Sequence, residues 1–416
     1  MCLSPLLGSI FILRSKSKRH LLFMGTLFFG IVGSLYIYNS GTDGYTHMMN
    51  IENNYLNMDL RTFLIDLVNL LYYNTANTNT SDPYLHILSF LSGSLFQTPE
   101  LLHVFSGLIY GAIYFRCLMF IIEDIKFKKA ATFVVLLTSI FLIYRGITGL
   151  NSIRWWTAFW LMFLGVLGYA KTMNKKFFIL TILSLYVHFS FLVFIIPAFF
   201  SYFLKNKIKL VFLIWIASFF MGYSYNMIQP YLPNIEVIQE KESYTLNTEI
   251  VEKSQAARDK RATSTNFYAE YGETLYRDFS ILLLTGLMFY FIFKIHNQKN
   301  VFFNYVFTSG VLLYALGNIM EFSPAVSNRG KSGASVILLA SAIILIINNY
   351  NNIKISNPKF FKLGLNIFII SSIPMILFQV SYFLNMVSSF FIIFPFFSWF
   401  LGNDDFALKE LLNLLM

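Results

Sequence analysis

Tyr144-Arg-Gly-Ile-Thr-Gly-Leu-Asn-Ser-Ile-Arg-Trp-Trp-Thr-Ala158 sets two arginines, Arg145 and Arg154, between two apolar runs. Residues 131–147 and 153–170 each approach the roughly 20 apolar positions that a helix needs to cross a bilayer. Gly146 and Gly149 let the backbone bend between them. The stretch therefore reads as the tip of a helical hairpin in a membrane protein, with the two arginines able to face one shared anion. Trp155 and Trp156 suit the same interfacial level.

The whole chain has this character. Of its 416 residues 56% are hydrophobic and 12% charged, and the mean hydropathy is +0.60, as in polytopic membrane proteins and unlike soluble globules. Windows of near-spanning length lie at 21–38, 101–122, 131–147, 153–170, 208–225, 279–294, 301–320, 333–349, 363–383 and 385–401. The interval 177–204 is long for one untilted span and short for two. The expected fold is an all-α polytopic integral membrane protein, a single membrane domain over 1–416. It should have about 10–12 transmembrane helices, with a re-entrant or short-helix pair around His188.

Charge orients it. Lys and Arg cluster at 14–19, 126–129, 171–176, 205–209, 294–299 and 354–362, and the positive-inside bias puts all six clusters in the cytoplasm if 177–204 crosses an even number of times or turns back. The N-terminus is then cytoplasmic, and the first apolar run, with no small-residue cleavage site after it, reads as an uncleaved anchor. The net charge of +10 is mainly this orientation signal and calls for no nucleic-acid partner. Cys2 and Cys117 give no outward disulfide.

Three polar segments fall outside on this topology. Residues 39–100 form a periplasmic segment with a short interfacial or re-entrant helix at 84–96, 226–278 a large periplasmic loop, and 321–331 a short insertion. The tail 402–416 reads as a cytoplasmic amphipathic helix.

Asp43, His47, Arg61, Arg145, Arg154, His188 and Arg329 all map to the outer face. An ionisable group at membrane depth costs about 2.5–3.5 kcal/mol on insertion scales, so their convergence asks for a ligand. Arginine is suited to bidentate phosphate binding. His188, in Leu185-Tyr-Val-His-Phe-Ser190, can act as general base for a sugar hydroxyl or donate to a leaving phosphate, and Asp43 is a second candidate base. Structural readings stay open beside these: lipid-phosphate contact for each arginine, a carbonyl-bonded imidazole for His188, helix capping for Asp43. The chain has no P-loop, no zinc-ligand spacing and no Asp-x-Asp pair, so neither metal nor cofactor is expected.

Asn151-Ser-Ile-Arg154 with Ala158, a Lys-Lys turn, and then His188-Phe-Ser190 resemble the Wzy-type O-antigen and capsular polysaccharide polymerases, specifically the EpsG-like branch. Members commonly carry Asn-x-x-Arg-Gln-x-x-Ala, His-x-Ser some 30 residues on, and an early Asp and Tyr, matched here by Asp43 and Tyr45. Trp155 stands where these proteins usually have Gln.

The resemblance implies a metal-independent membrane glycosyltransferase of the bacterial inner membrane, its active site facing the periplasm. Such an enzyme moves a growing glycan from undecaprenyl pyrophosphate to the non-reducing-end sugar of a new lipid-linked repeat unit, extending lipopolysaccharide O-antigen or capsule. Its expected partners are undecaprenyl-pyrophosphate-linked glycans, membrane lipids and a chain-length regulator protein. His188, Asp43 and Arg154 are the expected catalytic residues, and Arg145, Asn151, Arg329, Arg61, Tyr45 and Ser190 the expected substrate contacts. Three rivals remain: a single-transfer glycosyltransferase using polyprenyl-phosphate sugar, a lipid-linked oligosaccharide flippase, and a membrane acyltransferase.

Overall fold

A computed structural model of the chain describes residues 4–8, 17–39, 42–74, 78, 80–122, 132–221, 266–294, 300–321, 323–356, 358–392, 395 and 406–415. Its first helices are α1 (Lys18–Ser34), α2 (Asp43–Asn54), α3 (Leu60–Leu71), α4 (Pro83–Phe90), α5 (Leu101–Ile122), α6 (Thr132–Ile143), α7 (Ile153–Thr172), α8 (Phe178–Val187) and α9 (Phe191–Leu204). They continue as α10 (Ile208–Met221), α11 (Phe267–Leu275), α12 (Ile281–Lys294), α13 (Val301–Ile319), α14 (Pro324–Ser356), α15 (Pro358–Ser371), α16 (Ile373–Met386) and α17 (Leu408–Leu415). Of the described residues 85% are helical, and no strand forms among them. A bilayer imposes this, because backbone groups away from water must bond within their own segment.

Among the described residues six stretches are long and apolar enough to cross a membrane: Leu101–Ile122, Thr132–Thr172, Phe267–Lys294, Val301–Ile319, Pro324–Asn348 and Lys359–Met386. The shorter α9 and α10 are also apolar. The chain is thus an all-α multi-pass membrane protein, as its composition predicts. The interval 177–204 resolves into a short-helix pair: α8 ends at Val187, His188 is extended (φ −155°, ψ 116°), and α9 starts at Phe191. Of the window 385–401, residues 393–394 and 396–401 lie outside the described residues, as does the large loop up to residue 265.

The chain divides into two compact units, one comprising 1–123, 145–195 and 379–416, the other 124–144 and 196–378. In the first, α1 lies directly on α5. A side chain on Gly33 would strike the His103 carbonyl, and one on Gly107 the Phe29 carbonyl. Backbones approach this closely only through small residues, the usual means of helix association in lipid. Helix α5 packs in turn on α7, where the Trp160 indole N–H donates to the Tyr110 hydroxyl at 2.8 Å and the Tyr114 and Trp160 rings meet edge to face at 4.7 Å. The chain after α1 is tied down by the Ile37 N–H, which donates to the Met386 carbonyl at 2.9 Å.

In the second unit α13 and α14 form the buried centre, and α10 packs against α13 through Val211, Trp215 and Ser218. Side-chain hydrogen bonds cross between helices there: Ser309 donates to Ser201 at 2.9 Å, and the Asn318 amide to Ser218 at 2.9 Å. Tyr305 donates to the Ala198 carbonyl at 2.7 Å. Such bonds are worth about 0.6–2 kcal/mol each in lipid and fix helix register.

Candidate functional site

Asp82 stands immediately before Pro83, the first residue of α4, and an Asp-Pro pair at that place ordinarily caps a helix. Its carboxylate makes no bond to its own helix. Instead Oδ2 accepts from Arg154 Nη1 at 2.7 Å, and Oδ1 accepts from the Phe189 N–H at 2.9 Å. The same Arg154 nitrogen donates to the Ser81 hydroxyl at 3.1 Å. One carboxylate, 1% exposed, therefore joins the start of α4, the start of α7 and the break between α8 and α9. Burial works to raise the Asp82 pKa, but the neighbouring His188, the Arg154 guanidinium and the Phe189 N–H outweigh it and hold the carboxyl below its usual range. Arg154 keeps 26% of its side chain exposed, so part of its guanidinium fork can still reach a ligand.

His188 is buried at the end of α8. Its Nδ1 accepts from the Ser190 N–H at 3.2 Å, with the Ser190 hydroxyl 3.1 Å away. A backbone N–H can only donate, so the proton of a neutral ring sits on Nε2. His188 is thereby set up to donate rather than to accept. This local geometry follows from sequence: the extended His188 backbone ends α8, and His-Phe-Ser brings the Ser190 N–H back to the ring.

Helix α2 supplies the next pair. Asp43 and His47, four positions apart, share one helical face. Asp43 is exposed, and its Oδ2 accepts from the Ser152 hydroxyl at 3.0 Å. Beside it, the Tyr36 hydroxyl donates to Asn151 Oδ1 at 2.6 Å, and the Tyr36 ring stacks on His103 at 4.0 Å. The Tyr38 hydroxyl lies 2.9 Å from His103 Nδ1. Asn151 is therefore occupied within the protein, while Asp43 presents a carboxylate to the outside.

His47 is buried. Burial first, then the Arg154 charge, push its pKa down to about 4 against the opposing pull of Asp43 and Asp82. Above pH about 6.5 the imidazole is neutral both folded and unfolded and contributes no pH dependence. Below that the unfolded chain takes up a proton that the folded one refuses until about pH 4. Melting temperature in detergent should therefore fall between pH 6.5 and 4, and His47→Gln should flatten that fall. A variant with an unchanged slope would contradict this.

In the stretch 144–158, Arg145 adopts a left-handed backbone (φ 57°) that costs a non-glycine residue about 1–2 kcal/mol. The Tyr110 hydroxyl holds it there, 2.6 Å from the Arg145 carbonyl and 2.9 Å from that of Gly146. The Arg145 guanidinium lies over the Trp156 ring at 5.3 Å. The two arginines expected to share an anion thus engage different partners, Arg154 a carboxylate and Arg145 an indole. Trp155 is core: its ring stacks on Phe159 at 5.8 Å and touches Phe191 and Phe194 at 5.5 and 5.8 Å. It packs α7 against the first turn of α9, just past His188, a role that an amide at this position would not fill.

Of the nine residues expected at the site, Asp43, Asn151, Arg154, His188 and Ser190 fall within this connected set. Tyr45 lies on the first turn of α2, its N–H donating to the Thr42 cap. Arg61 is exposed on α3, and Arg329 is exposed on α14 in the second unit. Asp82, Tyr36 and His103 were not singled out by sequence. The one usable signal was Asp82-Pro83, which looks like an ordinary cap until its partner is seen.

A family model described as the EpsG family matches residues 18–332, more than half of the chain. No curated protein and no solved structure was found to match.

Proposed function

The chain belongs to the EpsG family, a family of Wzy-like polymerase-type membrane proteins, and from that premise we propose that it polymerises undecaprenyl-pyrophosphate-linked repeat units into O-antigen or capsular polysaccharide at the outer face of the inner membrane. The observation that carries the reading is the Asp82–Arg154 pair, which fixes a partly exposed guanidinium beside a proton-donating imidazole. Fixed donors of this kind suit a leaving pyrophosphate.

In this reading the acceptor hydroxyl oxygen attacks C1 of the sugar next to the donor pyrophosphate. A carbon–oxygen bond forms at C1, and the bond from C1 to the pyrophosphate breaks, its electron pair leaving with undecaprenyl pyrophosphate. Asp43 takes the hydroxyl proton. Arg154 and His188 Nε2–H stabilise the negative charge that grows on the departing oxygen, and Arg145 adds long-range positive potential. Only interactions stronger in the transition state than in the ground state speed the step, and developing charge on the leaving group meets that condition.

The test is reconstitution of the purified protein with lipid-linked repeat units. A ladder of products separated by one repeat unit is expected. One added sugar from a polyprenyl-phosphate donor would favour single transfer instead, and translocation without bond formation a flippase.

A further inference from the structure

Tyr36 is held more firmly than a link between two helices requires. Two hydrogen bonds to the chain after α16 flank its backbone: the Ile37 N–H donates to the Met386 carbonyl and the Ser388 N–H to the Leu35 carbonyl, both at 2.9 Å. Its ring, 2% exposed, stacks on the fully buried His103 at 4.0 Å with 12° between the planes, and meets Tyr38 edge to face at 5.2 Å. A side chain on Gly44, in the first turn of α2, would come within 2.7 Å of the Tyr36 hydroxyl. The hydroxyl is thus fixed beside the start of α2, one residue past Asp43.

From there it donates to Asn151 Oδ1 at 2.6 Å, and that length decides which end of the amide faces the phenol. Hydroxyl donors sit about 2.7–2.8 Å from oxygen and amide nitrogens about 2.9–3.0 Å, so the nearer atom is the amide oxygen. The bond leaves the Asn151 nitrogen, with its two N–H groups, accessible and without a protein partner among the described residues. The next residue holds an acceptor beside this donor: the Ser152 hydroxyl donates to Oδ2 of the exposed Asp43 at 3.0 Å. A carboxylate that only accepts and an amide nitrogen that only donates suit a neutral sugar, whose hydroxyl groups do both. The same carboxylate repels a phosphate from this spot and leaves the anion to Arg154.

We propose that Tyr36 is a positioning residue that locks the Asn151 amide with its NH2 outward, and that this NH2 and the Asp43 carboxylate together bind the hydroxyl groups of the acceptor sugar. The inference deepens the polymerase reading above and rests on it for which sugar is the acceptor. Without the phenol the amide can turn over and present its oxygen beside Asp43, two acceptors where the sugar needs one donor.

A double-mutant cycle in the full chain tests this. The probe is the oligosaccharide that mild acid releases from the host's own lipid-linked repeat units, and its binding to the purified protein in detergent is followed by ligand-observed NMR. Tyr36→Phe keeps the ring on His103 and removes only the donor, so its melting temperature should hold. Tyr36→Phe and Asn151→Ala are each expected to weaken binding about 5–10-fold, as loss of one neutral hydrogen bond does, and the double variant no further than Asn151→Ala alone. A residue that merely shaped the fold would give losses that multiply. With lipid-linked repeat units as substrate, both variants should raise KM by a similar factor and leave kcat within about twofold, because a bond made equally in ground and transition states acts on KM. Wild-type binding by Asn151→Ala, losses that multiply in the double variant, or a Tyr36→Phe protein that no longer folds would overturn the proposal. The expected binding pattern in a protein that makes no polymer would strike the polymerase reading and leave the sugar site standing.

Discussion

Arg154→Ala should lower the rate of chain extension by about 10²–10³, the loss seen when one preorganised donor to a developing negative charge is removed. The guanidinium is placed for this by the ion pair to Asp82 at 2.7 Å and by the Ser81 hydroxyl, and 26% of the side chain stays exposed. Arg154→Ala also leaves the buried Asp82 carboxylate unpaired and should itself cost about 3–5 kcal/mol of stability, so the measurement is the initial rate of ladder formation by the reconstituted variant, normalised to the folded fraction read from its melting curve. Arg154→Lys is the informative companion. Lysine keeps the charge and so the partner of Asp82, but it presents a point ammonium where arginine offers a planar fork. We expect it to fold like the wild type and extend glycans slowly. Wild-type rates in both variants would remove Arg154 from the chemistry.

Asp82→Ala should unfold the first unit before it says anything about catalysis. Removing one member of a buried ion pair costs about 3–5 kcal/mol, because the other charge keeps its desolvation without its partner. Asp82 is 1% exposed and also accepts the Phe189 N–H, so its loss frees both Arg154 and the turn that carries His188. A large drop in melting temperature is therefore expected. The double variant Asp82→Leu/Arg154→Met separates structure from function. Replacing a buried pair by apolar residues of similar volume is often neutral or stabilising, so melting temperature should recover toward wild type while glycan extension stays absent. Recovery of extension along with stability would show the pair to be scaffold only.

These two outcomes turn on Asp82, which the sequence places in the outward segment 39–100 without marking it as a site residue, and the reason is physical. Asp82 before Pro83 meets every local rule for a helix cap, and local rules are all that a single sequence displays. Its true partners, Arg154 and the Phe189 N–H, lie 72 and 107 positions away. The Tyr36–Asn151 bond, across 115 positions, was hidden for the same reason. The motif residues Asn151, Arg154 and His188 were legible because their spacing within the chain matched a family pattern. That Arg145 would turn away to Trp156 was not, since it depends on the Tyr110 hydroxyl holding a left-handed backbone.

The sequence by itself determined that this is an all-α, multi-pass membrane protein with a break at His188. A bilayer turns those features into one-dimensional rules: apolar runs of about 20 residues become helices, and an interval too short for two spans has to break. Tertiary structure alone decided which charges meet. A buried carboxylate is stable only beside a partner that offsets its desolvation, and that partner is chosen by how α4, α7 and the α8–α9 break pack in space, a choice that no local stretch of the chain encodes.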